Sequence, residues 1–262
     1  MRMMRTGAAL LGTAWLFSAN ALAASLGLAE VSARLAKASE AAPADFTGSD
    51  LSLLDLSGLD FRHARLAGAN LFGTDLSDAN FAGADLAGAD LDHAVVIRTN
   101  FAGANLANSR LTFLAAYSSF TIAPAEAPNF AGANLSGALI QSRLGPVDLS
   151  GGNLAHVQMG PERGHTLAVL RNDLSGSNLS GANLSGADLR EVRLTFADLR
   201  NADLSGADLA RADLSHADLA GADLTGTNLA GADLDEAALR QARGLAKAKG
   251  LAEARHRSAS PP

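Results

Sequence analysis

From Phe46 onward a large apolar residue returns at every fifth position: Phe46, Leu51, Leu56, Phe61, Leu66, Leu71, Leu76, Phe81, Leu86, Leu91, Val96, Phe101, Leu106 and Leu111. Two positions earlier usually stands Ala, as at Ala69, Ala79, Ala84 and Ala89. One position earlier usually stands Asp or Asn, as at Asn70, Asp75, Asn80 and Asp85. The unit reads A-[DN]-L-x-x, often with Gly or Ser in the last two places. A short set at Phe130, Leu135 and Ile140 follows. A new register then runs from Leu144 through Leu149, Leu154, Met159, Val169 and Leu174 to Leu239, weak only at Gly164.

Neither regular element tolerates this period. A helix turns by about 100° per residue, so a five-residue step lands about 140° away from a whole turn and scatters the Leu residues around the axis. A strand alternates faces with period two, so an odd step flips the face each time. The chain must bend once per unit to keep each Leu on one interior. Gly and Ser suit those bends, and Ala beside Leu lets the backbone close round a narrow core.

The run ANLSGADLREVRLTFADLRNADLSGADLARADLSHADLAGADL resembles the pentapeptide-repeat family, and the pattern iterates more than thirty times over about three quarters of the chain. The resemblance implies an all-β fold: a right-handed quadrilateral β-helix with 20 residues per coil, Leu or Phe and Ala inward and the other positions outward. Short helical caps are expected at its ends. Phe61, Phe81 and Phe101 are spaced by 20 and should stack. With coils ~4.8 Å apart, some nine coils make a rod of ~40–45 Å.

The expected organisation is a signal peptide at 1–23, an N-terminal helix or linker at 24–43, and a first solenoid part at 44–115. An irregular loop at 116–129, a second solenoid part at 130–239 and a basic helical cap with a disordered tail at 240–262 follow. The signal rests on Arg2 and Arg5, the apolar run Ala8 to Phe17, and Ala21-Leu22-Ala23 before a cleavage at Ala24. The run is short of a ~18-residue span, so the mature chain is expected to be exported, periplasmic or secreted, with no membrane span. Residues 112–129 lose the repeat and include Tyr117, Phe120, Pro124 and Pro128; they read as a loop or a slipped coil. Residues 160–168 keep register and read as one bulged unit. An open solenoid end exposes strand edges. Leu28, Val31 and Leu35 at helical spacing should cover one end, and a basic helix with Leu239, Leu245 and Leu251 the other.

Charge is uneven. Residues 44–111 hold nine acids and four bases, residues 172–239 twelve acids and four bases, and residues 240–262 six bases against Glu253. An acidic body repels nucleic-acid phosphate, so direct nucleic-acid binding is not expected. No Cys is present, which excludes disulfides and thiol chemistry.

No catalytic, cofactor-binding or metal-binding residue emerges. The six His, at 63, 93, 156, 165, 216 and 256, occupy outer positions. Counting by fives places His156 and His216 on one side, three coils (~14 Å) apart, too far for one metal, and His63 and His93 on opposite sides. Asp198, Asp203, Asp208, Asp213, Asp218 and Asp223 form the expected interaction face. Their carboxylates could bond turn backbone, bind cations weakly, or imitate nucleic acid. The reading is a non-enzymatic scaffold that presents an acidic repetitive surface to an unknown protein partner, with dimerisation left open. The alternative, implied by the family resemblance, is a DNA mimic that inhibits DNA gyrase or another DNA-binding protein.

Overall fold

The computed structural model describes residues 26–118, 123–161 and 172–255. The signal-peptide segment, Phe120, Val169, His165, His256 and the RSASPP tail lie outside them.

The reason for the five-residue unit is visible in its backbone hydrogen bonds. In the unit around Leu86, Ala84 N–H donates to Phe81 O at 2.9 Å and closes a turn. Asp85 N–H donates to Ala64 O of the coil before at 2.9 Å. Leu86 N–H and Gly88 N–H donate to Asn105 O and Ala107 O of the coil after, at 2.7 and 2.8 Å. The remaining donor, Ala87 N–H, finds no backbone acceptor and bonds Asp85 Oδ1 at 3.2 Å. All five donors are thus satisfied, as buried backbone requires. The Asp or Asn before each inner Leu is there because the turn needs a side-chain oxygen. The same contact recurs from Thr47 N–H to Asp45 Oδ1 at 2.9 Å through to Asp235 N–H to Asp233 Oδ1 at 3.0 Å.

The third residue of each turn has positive φ, the type II requirement. Gly fills many of these places, but Leu53, His63, His93, Phe113, His156, Phe196 and His216 also sit there at φ between 55° and 61°.

Stacked units form four parallel ladders, one per side. One side runs without a gap through Asp45, Arg65, Asp85, Asn105, Asn134, Asn153, Asn183, Asp203, Asp223 and Arg243, ten levels in all. At ~4.8 Å per level the rod is about 43 Å long. Among the described residues most pairings are single bridges, and β1 (Arg110–Thr112) and β2 (Leu139–Gln141) pair as three-residue parallel strands. The inner Leu, Phe and Ala residues are almost wholly buried. Thr74, Thr99 and Thr227 replace Ala in the core and donate their hydroxyls to Leu51 O, Leu76 O and Leu204 O.

The Phe stack is as expected and one ring longer. Phe61 and Phe81 lie 4.6 Å apart at 4°, Phe81 and Phe101 5.4 Å at 18°, and Phe101 and Phe130 4.9 Å at 7°.

Three departures from the 20-residue coil explain the broken register. Asn100 pairs with Asn129, so that coil has nine extra residues. They fall in the loop region between Tyr117 and Glu126, whose described residues include a 3₁₀ turn at Pro124–Glu126. The loop is fastened by Tyr117 Oη, which donates to Leu144 O at 2.8 Å, and by Glu126, which accepts from Ser118 N–H and Oγ at 2.8 and 2.7 Å. Burial pushes the Tyr117 phenol up to about 12.

The next coil is one residue short: Asn129 pairs with Asp148 across 19 residues, because Leu144 follows Ile140 after four. Gly145 permits this step, since a Cβ there would lie 2.7 Å from the backbone of Leu174 and Ser175. Loop and slipped coil are therefore both present, at different places.

The third departure corrects the expectation of a single bulged unit at 160–168. Arg143 pairs with Asp173, Asp148 with Asn178, Asn153 with Asn183 and Gln158 with Asp188, each 30 residues apart. That coil therefore carries ten residues, the length of two units, beyond the usual twenty. Because ten is a multiple of five the register survives, but every later residue moves half-way round the rod. His156 and His216 consequently do not share a side. His156 lies over Gly186, whereas His216 stacks on Phe196.

At the N-terminal end, α1 (Leu28–Leu35) lies against the first coil. Val31 is fully buried, and Arg34 donates to Asp45 O at 3.1 Å and sits over the Phe46 ring. At the other end no α-helix forms among the described residues. Residues 240–255 make one further coil, in which Arg243, Lys249 and Arg255 pair with Asp223, Asn228 and Asp233. The Leu of this stretch recur at intervals of six and each follows or sits near a Gly. Gly244 and Gly250 take φ of 71° and 67° and open 3₁₀ turns at Leu245–Lys247 and Leu251–Glu253. Those glycines interrupt helix and favour turns.

Candidate interaction surface

The six carboxylates expected to form one face are distributed over all four sides. Asp198 and Asp218 share one ladder, Asp203 and Asp223 a second; Asp208 lies in a third and Asp213 in the fourth. Residues five apart always occupy neighbouring sides, because each unit turns one corner. The acidic residues form a belt around the rod.

Each carboxylate of the belt is held by the turn N–H two residues on: Asp198 by Arg200, Asp203 by Ser205, Asp208 by Ala210, Asp213 by Ser215, Asp218 by Ala220 and Asp223 by Thr225. This fixes the outward oxygens. The turn-bonding reading of the Asp residues is the one the geometry supports. Arg200 also bonds Asp198 through Nε at 2.8 Å and approaches Asp218 at 3.9 Å. Its guanidinium holds the Asp198 carboxyl below the usual carboxylate range. Asp223 is lowered by its bonds from Thr225, with Arg243 and Lys247 adding to the effect.

Asn shares the Asp position and spaces the charges. Asn134 donates from Nδ2 to Asn105 Oδ1, Asn153 to Asn134 and Asn183 to Asn153, at 2.9, 3.0 and 3.1 Å. Asn105 donates in turn to Asp85 Oδ1 at 2.8 Å. An uncharged ladder thus crosses the middle of one side.

Outer apolar residues were not anticipated. Leu53 is 74% exposed, and Phe72 and Phe113 are 42% and 46% exposed. His93 joins the two rings, 5.2 Å from Phe72 and 5.1 Å from Phe113. These residues line one corner of the first coils. Phe196, 66% exposed, stacks on His216 at 4.6 Å, and His216 Nδ1 lies 3.0 Å from Glu236. The available signal was a spacing of 20 between Phe and His at outer positions, as in His93 with Phe113 and Phe196 with His216.

A recess of about 400 Å³ opens between α1 and the first coil, lined by Leu35, Leu59, Glu40, Asp60, Arg62 and His63 among others. Arg62 is committed to Asp60 there, with Nη2 to Oδ2 at 2.7 Å. Among the described residues no group of three or more His, Asp or Glu is placed to hold a metal ion, and no helix is long and apolar enough to cross a membrane.

The family model for pentapeptide repeats matches eight copies, at residues 44–78, 79–112, 173–206 and 207–243, which is more than half of the sequence. The chain belongs to the pentapeptide-repeat family. The unmatched middle is the stretch that holds the three coils of irregular length. Among solved structures, the chain is similar to HetL from the cyanobacterium Nostoc sp. Strain PCC 7120, a pentapeptide repeat protein involved in heterocyst differentiation regulation. The two are 26% identical, the match covers 90% of this chain and all of that one, and the TM-score is 0.60. QnrB1, a plasmid-mediated fluoroquinolone resistance protein, is 17% identical over 77% of this chain and 93% of its own, with a TM-score of 0.48. No curated protein matches the sequence.

Proposed function

We propose that this pentapeptide-repeat protein is an exported, non-enzymatic scaffold that binds a protein partner along the acidic outside of its rod. The observation that carries this reading is the stacking of carboxylates in register. Asp188 over Asp208, Asp198 over Asp218, Asp203 over Asp223 and Asp213 over Asp233 recur one coil apart. Each is oriented by the rigid turn behind it. Such an array holds its geometry before binding, which lowers the ordering cost of association. Export rests on the N-terminal charge, apolar run and small-residue site.

Duplex mimicry is the weaker reading. A DNA duplex carries a negative charge about every 3.4 Å on each strand. Here Arg65, Arg110, Arg143 and Arg193 interrupt the ladders, and Asn fills much of the rest.

Crosslinking in intact cells tests the scaffold reading. Asp203→Asn with Asp223→Asn, and Asp198→Asn with Asp218→Asn, remove charge on two sides while keeping the oxygen the turn needs. Loss of the captured partner in either double variant supports the reading; undiminished capture in both contradicts it. Export predicts protein beginning at Ala24 outside the cytoplasm; processed protein retained inside would overturn it. A supercoiling assay with DNA gyrase addresses the rival, for which inhibition at micromolar concentration is required.

A further inference from the structure

The two ends of the rod differ in charge and in cover. In the first coil all four ladder positions are acidic: Asp45, Asp50, Asp55 and Asp60. In the last coil three of the four are basic: Arg243, Lys249 and Arg255 follow Asp223, Asn228 and Asp233, and Ala238 follows Asp218. Arg240 and Lys247 add to that rim, against Glu253 and the Asp235 and Glu236 of the turn before Ala238. Within this basic rim the apolar floor is only partly covered. Leu239, Leu245, Leu251, Ala242, Ala248 and Ala254 are half-buried, whereas Leu219, Leu224 and Leu229 one coil earlier are at most 1% exposed.

We propose that the rod associates head to tail with further copies of itself, the basic rim of one last coil meeting the acidic first coil of the next. The partner surface has matching chemistry. Outside the first coil, α1 exposes Leu28, Ala29 and Ala33, and this end carries the four Asp residues with Glu30 and Glu40 against Arg34, Lys37 and Arg62, of which Arg34 pairs with Glu30 and Arg62 with Asp60. The ladders also align. Arg243 ends the ladder that Asp45 begins, and Lys249 ends the one that Asp50 begins. Ladders of opposite charge therefore follow the same order round the axis at the two ends, and α1 of the following copy lies between the two coils when they stack coaxially. Pairing two last coils face to face would instead set bases against bases. A contact between unlike ends does not close on itself, so it grows into open chains.

Light scattering on the purified protein, at rising concentration in low salt and at about 0.5 M salt, reads the association directly, because rim charges are screened within a few ångströms at the higher salt. Chains longer than dimers that shorten in high salt are expected. A monomer throughout, or a species that stops at a dimer, overturns the proposal. Two variants sharpen the test. One carries Arg243→Asp, Lys249→Asp and Arg255→Asp, the residue normal at these ladder positions. The other carries Asp45→Arg, Asp50→Arg and Asp55→Arg, a substitution that Arg65, Arg110 and Arg193 show the ladder accepts. Each variant alone should fail to associate, and an equal mixture should regain association. Association of either variant alone, or silence of the mixture while both melt like the parent, contradicts head-to-tail pairing. Should a variant not fold, the salt response of the parent still decides.

Discussion

Asn183 donates from Nδ2 to Oδ1 of Asn153, 3.1 Å away and thirty residues earlier in the chain. Asn153 in turn donates to Asn134 Oδ1 and accepts from Ala155 N–H in its own turn. One side chain therefore closes a turn and ties three coils. Asn153→Ala removes all three bonds and is expected to cost about 2–3 kcal/mol. Asn153→Asp keeps both acceptor roles and loses only the donation to Asn134, so about 1 kcal/mol is expected. Urea unfolding of the two variants measures the difference; equal losses would contradict the ladder.

Phe101 stands between Phe81 and Phe130 in the inner stack, and all three are almost fully buried. Phe101→Ala opens a cavity in a core with no mobile layer to fill it, at about 3–5 kcal/mol. Phe101→Leu, the residue on most other inner positions, should cost less than half as much. Thermal unfolding followed by circular dichroism separates the two.

Asp173 is nearly buried, accepts from Ser175 N–H at 2.9 Å and pairs with Arg193 at 2.9 Å. Burial alone pushes this carboxyl up, but the bonds from Ser175 and the Arg193 guanidinium outweigh it and the net shift is downward. Asp50, Asp92 and Asp198 are lowered as well. A carboxyl lowered by folding adds stability above its unfolded value of about 3.9, and that stability is lost as pH falls through the folded value. Unfolding free energy should therefore be level from neutral pH to about 5 and fall below about 4, with a shallower fall in Asp173→Asn. A profile that rises on acidification would contradict this.

Leu53 occupies a left-handed turn position at φ 59° with its side chain 74% exposed. A non-glycine residue there costs about 1 kcal/mol. Leu53→Gly is expected to raise stability by up to that amount, less the contact it now makes over Gly73. A melting temperature lower than the parent's would show that the Leu53, Phe72, His93 and Phe113 corner contributes more than the strain removes.

The inner ladders were legible because the inner Leu or Phe cannot be moved without opening the core. The turn role of Asp and Asn was legible for the same reason of backbone supply and demand. What misled was the count of sides. The period of five registers units and is blind to how many units form a coil. Nine extra residues before Asn129 bring Phe130 under Phe101, and ten extra residues before Asp173 carry His216 away from the side of His156. The acidic face failed through geometry too, since neighbouring units never share a side. At the C-terminus, Leu245 and Leu251 suggested a helix, but Gly244 and Gly250 turn that stretch into a last coil.

The thirty-residue pairing interval between Asn153 and Asn183 is the structural claim on which the second half of the rod depends, and paired deletions test it directly. Removing residues 161–170 restores a 20-residue coil and leaves Arg171 at the third turn position, which proline could not occupy with positive φ. Removing residues 161–169 leaves one residue too many and misaligns the ladder from Asp173 onward. Calorimetry should show the ten-residue deletion melting cooperatively within a few degrees of the parent and the nine-residue deletion melting well below it. Equal melting of the two, or collapse of the ten-residue deletion alone, would contradict the pairing of Asn153 with Asn183.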